Sequence, residues 1–260
     1  MLNSLYISAT GMQAQQTHVD AIANNLANAN TPAYKRNRVS FEDLLSRTGV
    51  TLPEGLGGAQ AGGSPMGLGV LVAGTGKTFG DGDLKKTDSA MDLAIRGSGF
   101  LEVTLPGGGT ALTRAGTLSV NRDGLLANAN GYPLRGNLAV PPHTGDIAID
   151  TDGKVTARVD GEAKPVELGQ IELASVNNPA ALQPIGENLY RLTAAAGDPV
   201  YGKPGDEGLG TVAQGYLEGS NVKLVDEMVN LVLAQRAYEL NAKLVQAADE
   251  MLSISNGLRR

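Results

Sequence analysis

The chain has 260 residues, 42% of them hydrophobic, which is enough to form a core in one or two domains. Its net charge of −6 and its isoelectric point near 5.0 argue against a nucleic-acid partner. The absence of cysteine excludes disulfides and thiol chemistry. No stretch is apolar enough to predict a bilayer span, and the N-terminus lacks the basic and apolar regions of a cleaved signal peptide.

A first amphipathic helix is predicted from Asn3 to Asn30. Apolar side chains recur there with alternating spacings of four and three residues, which is the period of one helix face. This row consists of Leu5, Ala9, Met12, Val19, Ala23 and Leu26, with Gln16 as its polar member. Chain ends are usually the least ordered part of a domain. A strong apolar pattern at an end therefore suggests that partners in other chains cover it.

The end of this helix carries a polar motif, Ala23 to Arg36, with the sequence ANNLANANTPAYKR. Asparagine side chains bond to the backbone and end helices, and Thr31-Pro32 forces an extended exit. The motif resembles the N-terminal signature of the bacterial flagellar rod and hook proteins. The matching positions are Asn24, Asn25, Leu26, Ala27, Asn28, Thr31, Tyr34 and Lys35. Ala33 replaces the usual glycine and resists the positive φ that glycine allows.

Residues 36–75 are predicted to form an extended connector. The stretch from Ser46 to Gly69 is rich in glycine and proline, a composition typical of a flexible linker. By resemblance to the family, it is an extension held between neighbouring subunits. The run Gly74 to Thr78 imitates the end of a phosphate-binding loop, but the full pattern requires a glycine where Leu71 stands. Nucleotide binding is therefore not expected.

Residues 76–213 are predicted to form an all-β domain, a sandwich or barrel, because short apolar runs alternate with turn signals. The turn signals include Asp123-Gly124 and Asp152-Gly153. The predicted strands are Leu93–Ile95, Phe100–Leu105, Ala111–Thr113, Thr117–Val120, Ile147–Ile149, Val155–Val159, Ile171–Val176 and Leu189–Leu192.

A long C-terminal helix is predicted within residues 214–260. Ser220 or Asn221 can cap its start, and Asn256-Gly257 is a stop signal. A first apolar row contains Leu233, Ala237, Leu240, Leu244, Ala247, Met251 and Ile254. A second row contains Leu231, Ala234, Tyr238, Val245, Ala248 and Leu252, with Asn241 as its polar member. The two rows cover about half of the helix surface. Such a helix is either the outer helix of a bundle or a subunit helix packed against copies of itself.

Further runs resemble the same family, so the resemblance extends over nearly the whole chain. They are Asp92–Phe100, Leu112–Gly116, Ile185–Tyr190, Gln214–Val222 and Gln235–Lys243. In the last run Gln235, Arg236, Tyr238 and Asn241 are the motif residues. The sequence is most similar to the distal-rod branch of the basal-body rod protein family. A proximal rod protein, a hook-type axial protein and an adhesin-like β domain on a helical stalk remain alternatives.

The resemblance implies an α+β fold in which the terminal helices pair as a coiled-coil-like inner layer around an intervening all-β domain. It implies a structural subunit that self-assembles into a hollow, torque-transmitting shaft in the flagellar basal body. The implied partners are further copies, the proximal rod proteins, the hook protein, the L- and P-ring proteins and the flagellar export apparatus. Export through that apparatus needs no cleaved signal peptide. We expect neither membrane insertion nor nucleic-acid binding.

Enzyme activity, metal binding and cofactor binding are not expected. His18 lies on the polar side of the first helix, and His143 follows Pro141-Pro142 in a predicted loop. No nucleophile elbow or metal-ligand spacing is present in the sequence. The predicted functional residues are therefore those for self-assembly: Leu5, Met12, Val19, Leu26, Leu233, Leu240, Leu244 and Met251.

Overall fold

The computed structural model describes residues 2–46, 66–159 and 164–257. By contacts, the chain divides into two compact units. The helical unit consists of Met1–Ala27, Asn37–Gly76 and Lys223–Arg260, and the β unit consists of Asn28–Arg36 and Lys77–Val222. The chain therefore passes between the units four times. The domain limits taken from the sequence pattern, at residues 35, 75 and 213, stay a prediction.

Two long helices confirm the predicted α+β class. Helix α1 spans Leu2–Ala27 and helix α2 spans Leu224–Gly257, and the two pack against each other in the helical unit. Helix α2 begins beyond the predicted caps Ser220 and Asn221, and the Asn221 side chain is bonded instead to other segments of the β unit. Two acidic residues occupy its first turn, where their negative charges interact favourably with the positive end of the helix dipole.

The predicted connector contains two strands that the sequence analysis missed. Strand β1 spans Asn37–Ser46 and strand β2 spans Met66–Lys77, and the two are hydrogen-bonded to each other. The Gly74–Thr78 run that imitates a phosphate-binding loop lies at the end of β2. Most of the predicted flexible linker, residues 47–65, lies outside the described residues.

The β unit contains fifteen short strands among its described residues. They are β3 (Leu84–Lys86), β4 (Leu93–Arg96), β5 (Leu101–Thr104), β6 (Thr110–Thr113), β7 (Leu118–Val120), β8 (Leu126–Asn128), β9 (Thr144–Ile149), β10 (Lys154–Val159), β11 (Val166–Gln170), β12 (Leu173–Ser175), β13 (Gln183–Gly186), β14 (Leu189–Arg191), β15 (Val200–Gly202), β16 (Thr211–Gln214) and β17 (Tyr216–Glu218). A short 3₁₀ helix spans Pro179–Ala181. All eight predicted strands are present, with ends that coincide or differ by up to three residues.

Small antiparallel sheets make up the β unit. The largest has four strands in the order β13-β14-β6-β5, and a three-stranded sheet has the order β11-β10-β9. The remaining strands of the described part of this unit pair as β12-β15, β16-β4, β17-β3 and β7-β8. The pairs β3 with β17 and β4 with β16 join the beginning of the unit to its end.

Two clusters of buried side chains form the core of the β unit. The larger includes Leu93, Leu101, Val155 and Leu173 from four different strands. The smaller is centred on Phe100 and Tyr190, whose rings meet edge to face at a centroid distance of 6.5 Å. This geometry is favourable for aromatic pairs. Because strands distant in sequence contribute to both clusters, the β unit depends on long-range contacts.

One glycine of the β unit allows a close approach of two backbones. The Leu93 amide donates to the Gly116 carbonyl at 2.8 Å, and a Cβ atom at position 116 would collide with the Leu93 carbonyl. Leu93 itself is fully buried in the larger core cluster. Gly116 is therefore required for the packing of β4.

We expect Gly116→Ala to destabilise the β unit, because the added methyl group forces β4 away from its neighbour. Overpacking of this kind costs about 1–3 kcal/mol, and more where the backbone must move. Thermal unfolding monitored by circular dichroism measures the effect. Gly109→Ala is the matched control, because a Cβ at that turn glycine meets no atom within 4 Å. Equal melting temperatures for the two variants would contradict the prediction.

Candidate assembly site

The second apolar row of α2 faces α1 within the same chain. Ala234 and Ala248 of this row are buried, and Asn241 lies against Gly11 of α1. A Cβ atom at position 11 would stand 2.9 Å from the Asn241 Nδ2 atom, so the small residue allows the helices to approach closely. The polar member of the row is thus accommodated by a glycine on the partner helix. The side chain of Leu252, also in this row, is not among those that the structure describes.

Apart from the half-buried Ala237, the first apolar row of α2 is exposed in the single chain. The exposed fractions are 61% for Leu233, 61% for Leu240, 58% for Leu244, 52% for Met251 and 65% for Ile254. Further exposed apolar residues lie at the beginning of the same helix: Leu224, Val225, Met228, Val229 and Val232. Contiguous apolar surface of this extent is typical of a protein–protein interaction site. The two rows therefore differ, since one packs inside the chain and the other faces outward.

The predicted assembly residues of α1 are intermediate in burial. Leu5, Met12, Val19 and Leu26 are each half-buried. Among the side chains of α1 that the structure describes, the buried ones are Ser8, Ala14, Ile22 and Asn25. The predicted row of α1 therefore lies beside the buried face of that helix, and its role in assembly stays a prediction.

Asn25 joins three elements of the helical unit. Its side-chain oxygen accepts from the Asn37 amide at 2.7 Å, and its Nδ2 donates to the Asn37 carbonyl at 3.0 Å. The same Nδ2 donates to the Glu227 carboxylate at 3.3 Å. Asn25 and Glu227 are both 1% exposed. The motif asparagine thus links the end of α1 to the start of β1 and to the first turn of α2.

The neighbouring motif residues have different surroundings. Asn24 is exposed, and its side-chain oxygen accepts from the Asn37 side chain at 3.3 Å. The Thr31 hydroxyl donates to the Asn28 side-chain oxygen at 3.2 Å. Ala33 adopts a φ of 57°, the left-handed conformation that its family counterpart, a glycine, takes without strain. Ala33 is buried, and its amide donates to the Glu218 carbonyl at 2.8 Å, which holds the strained turn in place.

Lys35 is completely buried in the β unit. Its Nζ donates to the Glu218 carboxylate at 2.6 Å and to the Gly80 carbonyl at 2.7 Å. The other oxygen of that carboxylate forms an ion pair with Arg114 Nε at 3.0 Å. Burial lowers the pKa of Lys35, and the bond to Glu218 opposes this shift. A buried ammonium group requires such a partner, because an unpaired buried charge is very costly.

The role of Glu218 was not found from the sequence. In the sequence, Glu218 stands out only as a member of the Gln214–Val222 run, and 183 residues separate it from Lys35. The available signal was the presence of an acidic residue in one family motif and a basic residue in another. The presence of both residues does not show that Lys35 pairs with Glu218, since the chain has many other charged residues that could form ion pairs.

The C-terminal motif residues lie on α2. Gln235 and Arg236 are exposed, and Arg236 Nη1 forms an ion pair with Glu239 at 2.8 Å along the helix. Tyr238 is 42% exposed and Asn241 is half-buried. Of these four motif residues, Asn241 is the one that meets a glycine of α1, and the others lie at or outside the edge of the helix contact.

Two further features of the described residues concern function. The helices contain no segment long and apolar enough to cross a membrane within the described ranges. The same ranges hold no cluster of three or more histidine, cysteine, aspartate or glutamate side chains suited to a metal ion. His18 packs edge to face against Phe41 at 5.7 Å between ring centroids.

The chain is thus an α+β protein whose long C-terminal helix exposes an apolar row, a feature typical of protein–protein interaction surfaces. Three family models match this chain. One described as flagella basal body rod protein matches residues 5–35. One described as flagellar hook protein FlgE/F/G D1 domain matches residues 94–157, and one described as flagellar basal body rod FlgEFG protein C-terminal matches residues 213–258.

Full-length relatives agree with these matches. The chain is 43% identical to the flagellar basal-body rod protein FlgG of Agrobacterium fabrum, over 97% of this chain and 98% of the relative. It is 41% identical to FlgG of Borreliella burgdorferi over all of both chains. The flagellar basal-body rod protein FlgF of Caulobacter vibrioides is 32% identical, over 96% of this chain and 95% of the relative. The chain belongs to the flagellar basal-body rod protein family.

Proposed function

We propose that this chain is a structural subunit of the distal rod of the bacterial flagellum. In this function, copies assemble into a hollow helical shaft that transmits torque from the motor to the hook. The full-length similarity to proteins named FlgG supports the assignment to the rod. The observation that carries self-assembly is the exposed apolar row of α2, which leaves Leu240 61% exposed in the single chain.

Assembly uses the two faces of α2 differently. The row that contains Ala234 and Ala248 pairs with α1 in the manner of a coiled coil, with Gly11 and Asn241 at its close approach. The row that contains Leu240 and Leu244 packs against α helices of neighbouring copies. A contact between two different surfaces of identical subunits generates a helical filament when its repeated rotation does not close into a ring. The paired helices form the inner layer of that filament.

The remaining partners follow from the position of a distal rod. The polymer begins on the proximal rod proteins, ends at the hook protein and turns inside the L- and P-ring proteins. The flagellar export apparatus delivers the subunits. The function requires no cofactor, no nucleic acid and no catalytic residue, and it is structural.

A proximal rod function is the second candidate, because the FlgF relative is also similar over nearly its full length. The higher identity to FlgG proteins favours the distal rod. Complementation separates the two functions: the gene is expected to restore motility to a strain that lacks its distal rod protein and to fail in a strain that lacks the proximal one.

Electron microscopy of the purified, concentrated protein tests the proposed function. The expected result is straight hollow tubes with helical symmetry and α-helical density at the smallest radius. Closed dimers or small rings at all concentrations would contradict it, because a closed contact cannot extend a shaft. An adhesin-like function would instead give ligand-dependent cell binding without tubes.

A further inference from the structure

Four connections between the units enter the β unit on three segments. Residues 28–36 carry two of these connections, one at each end. The second segment, residues 77–82, carries the third connection, and the third segment, residues 218–222, carries the fourth. These two segments are the two ends of the continuous stretch Lys77–Val222. Polar contacts inside the β unit join these three segments to one another.

Asn221 bonds to both other segments through one amide group. Its side-chain oxygen accepts from the Arg36 amide at 2.8 Å. Its Nδ2 donates to the Thr78 carbonyl at 2.7 Å and to the Gly80 carbonyl at 3.1 Å. An asparagine side chain can make all three bonds, because it has both an acceptor oxygen and a donor NH₂ group. An ionised aspartate could accept from Arg36 but could not donate to the Thr78 and Gly80 carbonyls.

Glu218 joins the same three segments through a buried carboxylate. One carboxylate oxygen accepts from Lys35 Nζ at 2.6 Å and from the Gly82 amide at 3.0 Å. Its backbone carbonyl accepts from the Ala33 amide. The second carboxylate oxygen faces Arg114, whose Nη2 donates to the Gly97 carbonyl at 2.6 Å. Glu218 therefore also connects the three segments to the strands of the core.

Backbone bonds complete this arrangement, which we call the clasp and define as Lys35, Thr78, Gly80, Glu218 and Asn221. The Thr78 amide donates to the Arg36 carbonyl at 2.9 Å, and the Asn221 amide donates to the Tyr34 carbonyl at 3.3 Å. Lys77 Nζ donates to the Lys35 carbonyl at 2.9 Å and lies 4.1 Å from the centre of the Tyr34 ring. The contacts run in several directions, so the segments cannot slide along one another without breaking them.

We propose that Glu218 and Asn221 are positioning residues that hold all four connections of the β unit in one fixed bundle. Mechanical load that enters along the connections is then shared among them and passes through Arg114 to the core. This load-bearing role rests on the proposed rod function, but the local fixation of the three segments does not. The chemistry needed is a buried carboxylate that accepts from the two other segments and pairs with Arg114, together with an amide that both donates and accepts.

A role in overall stability alone predicts a different outcome. If the clasp merely stabilised the β unit, its loss would lower the protection of every amide by the same factor, because all would exchange through global unfolding. If the clasp fixes the connections, its loss opens these segments locally while the strands stay closed. Hydrogen exchange distinguishes the two, since it measures opening at each amide separately.

The experiment measures amide exchange by NMR in full-length monomers of the wild type, Glu218→Gln and Asn221→Asp. The expected result is exchange at least about tenfold faster at the amides of Ala33, Arg36, Thr78 and Gly82. The amides of β5 and β6 are expected to change less than about twofold. Glu172→Gln is the matched control, because that half-exposed carboxylate pairs with Arg135 at 3.1 Å outside the clasp. No change is expected in this control.

Two outcomes would overturn the inference. One is an equal increase at the four amides of Ala33, Arg36, Thr78 and Gly82 and in β5 and β6, which indicates a stability role alone. The other is unchanged exchange at the same four amides in Asn221→Asp. This variant is the milder of the two, because it retains the acceptor for Arg36. It therefore keeps the test available if Glu218→Gln fails to fold.

A second measurement tests the load-bearing role separately. Tubes of Asn221→Asp are expected to form but to bend more than wild-type tubes in micrographs. Equal stiffness together with faster local exchange would overturn the load-bearing role. If the wild type itself forms no tubes, the proposed rod function fails, whereas the exchange experiment still decides whether the clasp fixes the connections.

Discussion

Leu240→Glu is expected to abolish polymer formation while the single chain stays folded. Leu240 is 61% exposed in the chain and lies in the middle of the outward row of α2. Glutamate forms helices nearly as well as leucine. At this position it has Arg236 four residues before it and Lys243 three residues after it, which favours the helix further. The substitution therefore costs the isolated helix little.

In the proposed polymer the same side chain is covered by a neighbouring copy, and the cost becomes large. Loss of a buried leucine removes about 2–3 kcal/mol of transfer free energy. An unpaired buried carboxylate adds several kcal/mol. A total above about 4 kcal/mol corresponds to a roughly thousandfold higher concentration for association. Because every subunit carries the change, each interface loses this amount.

Sedimentation of assembled material beside calorimetry of the monomer tests this prediction. The monomer is expected to melt within a degree or two of the wild type, since about 1 kcal/mol shifts the melting temperature of a domain this size by a few degrees. Gln246→Glu serves as the control, because Gln246 is exposed on a different face of α2. A cooperative melt of the Leu240→Glu monomer at much lower temperature would place the row inside a closed core and contradict the proposed assembly surface.

The helices were predictable because their apolar periods persist over many turns. The 4-3 spacing from Leu5 to Leu26 and from Leu233 to Ile254 predicts both elements, whose ends fall within a few residues. Periodicity alone did not determine which row of α2 packs inside the chain. That distinction depends on Gly11, whose lack of a side chain allows α1 to approach Asn241.

The strands were predictable where apolar residues cluster, as in Leu101–Thr104. Strands without that signal were missed. Strand β3 has the sequence LKK and pairs with β17, so its existence depends on a partner 130 or so residues later. The glycines of β2 likewise resemble a loop composition, although its backbone pairs with β1.

The functional motifs were recognisable by resemblance, but their physical roles were not. Asn25 looked like a helix-ending residue, and it is instead a buried link between three elements. The positive φ of Ala33 opposes the local preference of alanine and is imposed by surrounding contacts. The pairing of Lys35 with Glu218 depends on the long-range path of the chain, which local sequence cannot specify.

Asn25→Asp is expected to destabilise the helical unit strongly at neutral pH. The substitution keeps the size of the side chain and the acceptor for the Asn37 amide. It removes the donor to the Asn37 carbonyl and to Glu227 and places a second carboxylate beside the buried Glu227 side chain. Breaking a buried charged network in this way costs about 3–5 kcal/mol. Thermal unfolding followed by circular dichroism of the helices measures the loss.

The pH dependence identifies the cause of that destabilisation. The new carboxylate at position 25 has a folded-state pKa raised above the unfolded value of about 3.9, since burial and a like charge both disfavour ionisation. Its effect on stability is therefore smallest below about pH 4 and grows as the pH rises through the folded-state value. A protonated carboxyl also restores a donor toward Glu227, so the variant is expected to approach wild-type stability in acid. Asn24→Asp is the matched control, because Asn24 is exposed and aspartate keeps the side-chain oxygen that accepts from Asn37. A loss in Asn25→Asp that is the same at every pH, or an equal loss in Asn24→Asp, would show that charge repulsion at the buried link is not the cause.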